Sequence, residues 1–161
     1  MKIYFLRHGE AVHATAQMQD GERPLSDLGK RQASAVGRYL ARAGSEIELI
    51  ICSKAVRSQE TAEAVRHELG HVAVQSNEFL TSSSDPRDIL REIKKWSARN
   101  VLLVGHEPHL SKTISLLLWG DARSRVEMGT CSLACVSTAD HPKEGGGILQ
   151  LLLASDQMLK G

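Results

Sequence analysis

The 161-residue chain has almost no excess of either charge: 20 Lys and Arg stand against 19 Asp and Glu, leaving +1. That balance excludes a broad electrostatic footprint, so no nucleic-acid or membrane-surface partner is expected and any positive field must be local. No apolar run reaches the ~18 residues that a membrane span needs. Met1-Lys2 runs directly into a short strand pattern instead of a signal peptide. Cysteine is scarce. Cys52, Cys131 and Cys135 are odd in number and lie in apolar segments, which marks them as small core residues kept reduced. The CSLAC spacing fits neither a zinc CxxC nor a redox pair. Repeats, low-complexity tracts and dividing linkers are also missing. These absences predict one cytoplasmic domain over residues 1–161, long enough to bury a single core.

What is present alternates between two periods. KIYFL, ELIIC (Glu48 to Cys52) and NVLLVG (Asn100 to Gly105) are apolar runs of the kind buried on both faces of a parallel sheet, with a shorter strand around VAVQ. Between them lie helical patterns. Ser26 can cap a helix whose stripe is Val36, Tyr39, Leu40 and Ala43, closed by Gly44. SQETAEAVRHELG puts Ala62, Val65 and Leu69 on one face and stops at Gly70. Asp85 and Pro86 open a third helix with Ile89, Leu90, Ile93 and Trp96 inward, and Pro108 opens a fourth carrying Leu110, Ile114 and Leu117. SLACVS and ILQLLLA, joined by a turn-rich loop, read as an antiparallel hairpin. The pattern predicts an α/β three-layer sandwich: a mostly parallel central sheet, helices on both faces and a C-terminal antiparallel hairpin.

In such a sheet, ligands bind beyond the carboxyl ends of the strands. Three strand ends carry polar groups: Arg7-His8-Gly9, the SKAVRSQET segment with Arg57, and GHEPH with His106. Any one of these is an ordinary surface arginine or structural histidine. Together, on neighbouring strands, they form an anion site. Two guanidiniums held close repel unless an anion lies between them, and their planar forks match phosphate oxygens. His106 adds a donor, as do the amides at the start of the following helix, Glu107 N–H among them. The expected ligand is inorganic phosphate, sulfate or a phosphoryl group. His8, its pKa lowered by the cations, is left as a neutral nucleophile. Gly9, without a Cβ, lets the backbone turn sharply beside the ligand.

FLRHGEA, RPLSDLGKRQA, CSKAVRSQETA and LLVGHEPHLS, in that order, resemble the histidine phosphatase superfamily, which includes phosphoglycerate mutases and acid phosphatases. The resemblance implies a phosphoglycerate mutase-like fold and a phosphatase that needs no cofactor or metal. It also implies that His8 is phosphorylated while Arg7, Arg57 and His106 hold the phosphoryl oxygens, in two in-line transfers ending on water. Mutase-like members carry Ser or Thr and then Asn where this chain has Ala11 and Ala14. They also have a long insertion after the third strand, where this chain has only NEFLTSSSDP. The short chain and RPLSDLG instead resemble the SixA branch, which implies a phosphohistidine-bearing protein as substrate.

Leaving-group chemistry agrees with that reading, since phosphohistidine departs as an imidazole and depends little on a general acid. Glu10, Glu78 and Glu107 are the candidate acids, and Arg23 is a candidate for the pocket entrance. Three other readings stand beside this one. Zinc chemistry on His8, His13, His106 and His109 is disfavoured, because HEPH is not HExxH and Pro108 interrupts the helix. A broad small-molecule phosphomonoesterase would turn over p-nitrophenyl phosphate and sugar phosphates as fast as a phosphohistidine protein. A non-catalytic phosphoprotein-binding module would never phosphorylate His8.

Overall fold

The computed structural model describes residues 1–123 and 126–160; residues 124–125 and Gly161 of the expected domain lie outside the described residues. Six strands form one sheet: β1 (Lys2–Arg7), β2 (Leu49–Ser53), β3 (Ala73–Asn77), β4 (Asn100–Gly105), β5 (Leu133–Ser137) and β6 (Ile148–Leu153), in the order β3-β2-β4-β1-β5-β6. β1 to β4 pair in parallel, while β5 runs antiparallel to both β1 and β6. The described residues also form five α-helices, α1 (Asp27–Arg42), α2 (Val56–Leu69), α3 (Pro86–Ile93), α4 (His109–Trp119) and α5 (Ser155–Leu159), and two short 3-10 turns at Asp20–Glu22 and Glu78–Leu80. This is the three-layer α/β arrangement with the antiparallel C-terminal hairpin.

The pleat sorts side chains into two apolar layers, since successive residues of a strand face opposite ways. Tyr4, Leu6, Ile50, Leu102 and Val104 pack with Val36, Leu40, Ala62 and Val65 of α1 and α2, and with Met158 of α5. Ile3, Phe5, Ile51 and Leu103 pack with Ile89, Ile93, Leu110 and Ile114 of α3 and α4. The central strands are therefore buried on both faces, which is why they are uninterrupted apolar runs, while the edge strands β3 and β6 stay largely exposed.

Local signals set the helix ends. Ser26 Oγ accepts from Gly29 N at 3.1 Å, and Asp85 Oδ1 accepts from Arg87 N at 2.9 Å, each satisfying a donor with no intrahelical partner. Gly70 and Gly120 close α2 and α4 at φ values of 88° and 76°. Two stripes differ from their periodicity. Ala43 is exposed because α1 has already ended, and its packed face runs instead through Gly29, Gln32, Ala33, Val36 and Gly37. Trp96 lies past the end of α3 and is only partly buried against that layer. α5 was not legible, being too short to display a period. No helix among the described residues is long and apolar enough to cross a membrane.

What matters for function is the order β2-β4-β1. Arg7 pairs with Gly105 and Cys52 with Val104, so these three strands end side by side at one edge of the sheet.

Candidate active site

The loop leaving β1 is held from three sides. Gly9 N donates to Thr61 Oγ1 at 3.0 Å, and Glu10 N donates to Gln32 Oε1 at 2.9 Å. Cys131 N reaches the carbonyls of both Arg7 and His8, at 3.1 and 3.2 Å. Glycine here serves packing more than the expected sharp turn beside a ligand. A Cβ on Gly9 would lie 2.7 Å from Gly29 O, and one on Gly29 would lie 2.0 Å from Glu10 O. Two glycines thus let the start of α1 press directly on the strand end. Gly29→Ala is expected to lose about 3 kcal/mol through overpacking, lowering Tm by roughly 6–12 °C in calorimetry. An unchanged Tm would mean that α1 can retreat without cost.

His8 has a defined tautomer. Its Nδ1 sits 2.7 Å from Gly9 O, and a carbonyl only accepts, so Nδ1 carries the proton. Nε2 therefore presents a lone pair, toward which Arg57 Nε donates at 3.2 Å. Burial is the chief cause that lowers the His8 pKa, to about 4, with the Arg57 and Arg7 charges contributing less. The cations expected from the sequence are thus the smaller cause. His106 is lowered to about 3, again first by burial and then by His8 and Arg57. Both imidazoles are neutral at physiological pH. Below about 6.5 the unfolded chain binds protons that folded His8 refuses until about 4, so stability falls as pH drops through that window. Long-range ¹⁵N–¹H spectra at pH 5.5 should show His8 neutral with Nδ1 protonated. A midpoint near 6.5 would contradict the burial argument.

Arg57 lies in the first turn of α2 and is only 8% exposed. Its Nη2 is 3.5 Å from His106 Nδ1, and the two imidazole centroids are 5.0 Å apart. His106 Nε2 meets Ser53 Oγ at 2.9 Å and Ser58 Oγ at 3.3 Å. A hydroxyl both donates and accepts, so these serines support either tautomer of His106. Arg7 Nη1 donates to Met128 O at 2.9 Å, while its buried Nε has no partner among the described residues. His8, Arg57 and His106 are thus brought together, with the Arg7 charge near enough to help lower the pKa of both imidazoles. Beside them opens a cavity of about 400 Å³ lined by Asp20, Ser53, Lys54, Arg57, Thr81 and His106 among others.

The remaining candidates are placed differently. Glu10 Oε1 accepts from Ser26 Oγ at 2.7 Å, at the start of α1. Burial raises the Glu107 pKa, and its carboxylate accepts from the Ser111 hydroxyl and amide. Two amides at the start of α4 are engaged, Leu110 N by His106 O and Ser111 N by Glu107 Oε1, and the Glu107 N–H expected to cradle phosphate is not one of these. Pro108, which precedes them, has no N–H. Glu78 is exposed and lies 3.6 Å from Lys54 at the cavity rim. Arg23 donates to Val12 O and to Asp20 Oδ1, both at 2.9 Å. His109 is buried in α4, away from the cavity lining. The three cysteines are free and buried, and burial pushes the Cys131 thiol up to about 12.

Sequence reasoning missed Asp20, Ser53, Ser58 and Thr61. The serines had a signal, since Ser53 ends β2 and Ser58 follows Arg57 in α2, both within the SKAVRSQET segment. Asp20 had none, because a DG turn in an aperiodic loop does not tell where its side chain points.

The model of the histidine phosphatase superfamily, branch 1, matches residues 3–81. An uncharacterised protein of the cyanobacterium Picosynechococcus is 31% identical over 125 residues, spanning 74% of each chain. The protein histidine phosphatase SixA, solved with tungstate, superposes with a TM-score of 0.87 at 22% identity, over 98% of this chain and 99% of that one. A Nakamurella multipartitia protein ascribed to the SixA phosphohistidine phosphatases gives 0.79 at 26% identity, over 94% of each. The chain belongs to the histidine phosphatase superfamily and shares the fold of its SixA members.

Proposed function

We propose that the protein is a phosphohistidine phosphatase that works through a phosphorylated His8. One observation carries the reading: the His8 Nε2 lone pair faces the Arg57 guanidinium at 3.2 Å, while Nδ1–H is tied to Gly9 O at 2.7 Å. A neutral imidazole aimed at a cation cluster is arranged to attack a phosphoryl group that those cations hold. In the first step Nε2 forms a bond to phosphorus as the P–N bond to the substrate imidazole breaks, and that imidazole leaves with a proton from solvent. In the second, water attacks phospho-His8, returning neutral His8 and inorganic phosphate. Arg7, Arg57 and His106 hold the phosphoryl oxygens throughout.

Access and the placement of the acids support this substrate class. Only residues 78–85 separate β3 from the start of α3, leaving the site open to a histidine presented on a protein surface. Glu10 and Glu107 accept from Ser26 and Ser111, and neither carboxyl lines the cavity, so neither is placed to protonate an alkoxide there. Both apolar layers share one sheet, which supports treating residues 1–161 as a single catalytic domain.

The test is a side-by-side rate comparison on a phosphohistidine-bearing carrier protein, p-nitrophenyl phosphate and a sugar phosphate, with EDTA present. A strong preference for the carrier is expected. Equal or faster turnover of the small esters would replace this reading with a general phosphomonoesterase.

A further inference from the structure

Arg57 lines the cavity, and both of its terminal nitrogens are bound by one residue. Nη1 donates to Asp20 O at 2.5 Å and Nη2 to Asp20 Oδ2 at 2.8 Å. Asp20 lines the same cavity as Arg57 and His106. Its other carboxylate oxygen is held by Arg23 Nη1 at 2.9 Å, so the carboxylate bridges two guanidiniums as a phosphoryl group would. The pair is lopsided. The Arg57 side chain is 10% exposed and the Asp20 side chain 69%. If the pair is broken, Asp20 swings into water at little cost, while Arg57 stays in place and needs another anion.

We infer that Asp20 is an internal stand-in for the phosphoryl group, and that it sets how tightly an anion must bind to occupy the site by competing for Arg57. This rests on the reading above that Arg57 binds the phosphoryl oxygens. A phosphoryl dianion outbids a single carboxylate for the guanidinium fork, whereas weaker anions are held off. After hydrolysis the returning Asp20 helps expel inorganic phosphate. The hydrogen bonds from Arg57 and then Arg23 hold the Asp20 carboxyl below its usual range, so the competitor is charged at any working pH. A purely structural Asp20 would have the opposite signature, because loosening the loop that carries Arg23 would weaken anion binding.

The experiment is calorimetric titration of orthophosphate and of sulfate into the wild-type protein, Asp20→Asn, Asp20→Ala, Arg57→Ala and Asp20→Asn/Arg57→Ala. Removing an exposed competing carboxylate should tighten both anions about 3- to 10-fold in the two Asp20 variants. The gain should vanish on the Arg57→Ala background. Inorganic phosphate should likewise become a stronger inhibitor in Asp20→Asn. Unchanged or weaker anion binding in both Asp20 variants would overturn the inference and leave the role of Arg57 intact. So would a collapse of kcat at unchanged anion affinity, which would make Asp20 a proton donor. Wild-type orthophosphate affinity in Arg57→Ala would overturn both this inference and the reading beneath it.

Discussion

Arg57→Ala is expected to fold normally and to lose about 10²–10³ in kcat, the usual consequence of removing one preorganised donor from a site of developing charge. The structural reasons are specific. Arg57 reaches His8 Nε2, approaches His106 Nδ1 and borders the cavity, so its fork spans the place where a phosphoryl group would sit. Its partner Asp20 is exposed and keeps its bond from Arg23, so thermal stability should barely change. Arg57→Lys should recover only part of the loss, since an ammonium supplies charge but no bidentate fork. Steady-state kinetics with a melting curve on each variant decide the matter. Near-normal kcat in Arg57→Ala would remove Arg57 from the site.

His8→Ala should have the larger effect, a loss of roughly 10⁴–10⁶ in kcat, as when the nucleophile of a covalent mechanism is deleted. The loop itself should survive, because its anchors are backbone groups: Gly9 N on Thr61, Glu10 N on Gln32, and the Arg7 and His8 carbonyls on Cys131 N. The variant should therefore still bind orthophosphate through Arg7, Arg57 and His106. Retained binding with lost turnover separates a nucleophile from a residue that only shapes the pocket. Parallel loss of both would point to collapse of the loop.

Much of this was legible because buried strands leave a strong signal. The runs before Arg7, Lys54 and His106 carry almost no polar residue, so a cluster of ionisable groups just after them stands out. The rule that ligands sit at strand carboxyl ends then picks the place. What the pattern does not contain is the pairing β2-β4-β1, which the register establishes. Gly9 and Gly29 were harder, because each looks locally permissive while its function is a contact across 20 residues of sequence. Asp20 was invisible for a related reason. The segment between Gly9 and Ser26 has no period, and its carboxylate finds Arg57 only once the loop folds back over the cavity.

The central claim is a phosphorylated His8, and one measurement addresses it directly. The protein is mixed with a stoichiometric phosphohistidine-bearing carrier, quenched in alkali within the first turnover and examined by peptide mass spectrometry. One acid-labile phosphoryl group is expected on His8, forming as the carrier loses its own and disappearing as inorganic phosphate appears. Release of inorganic phosphate with His8 unmodified at every time in that turnover would contradict the claim, and would mean that water attacks the substrate directly.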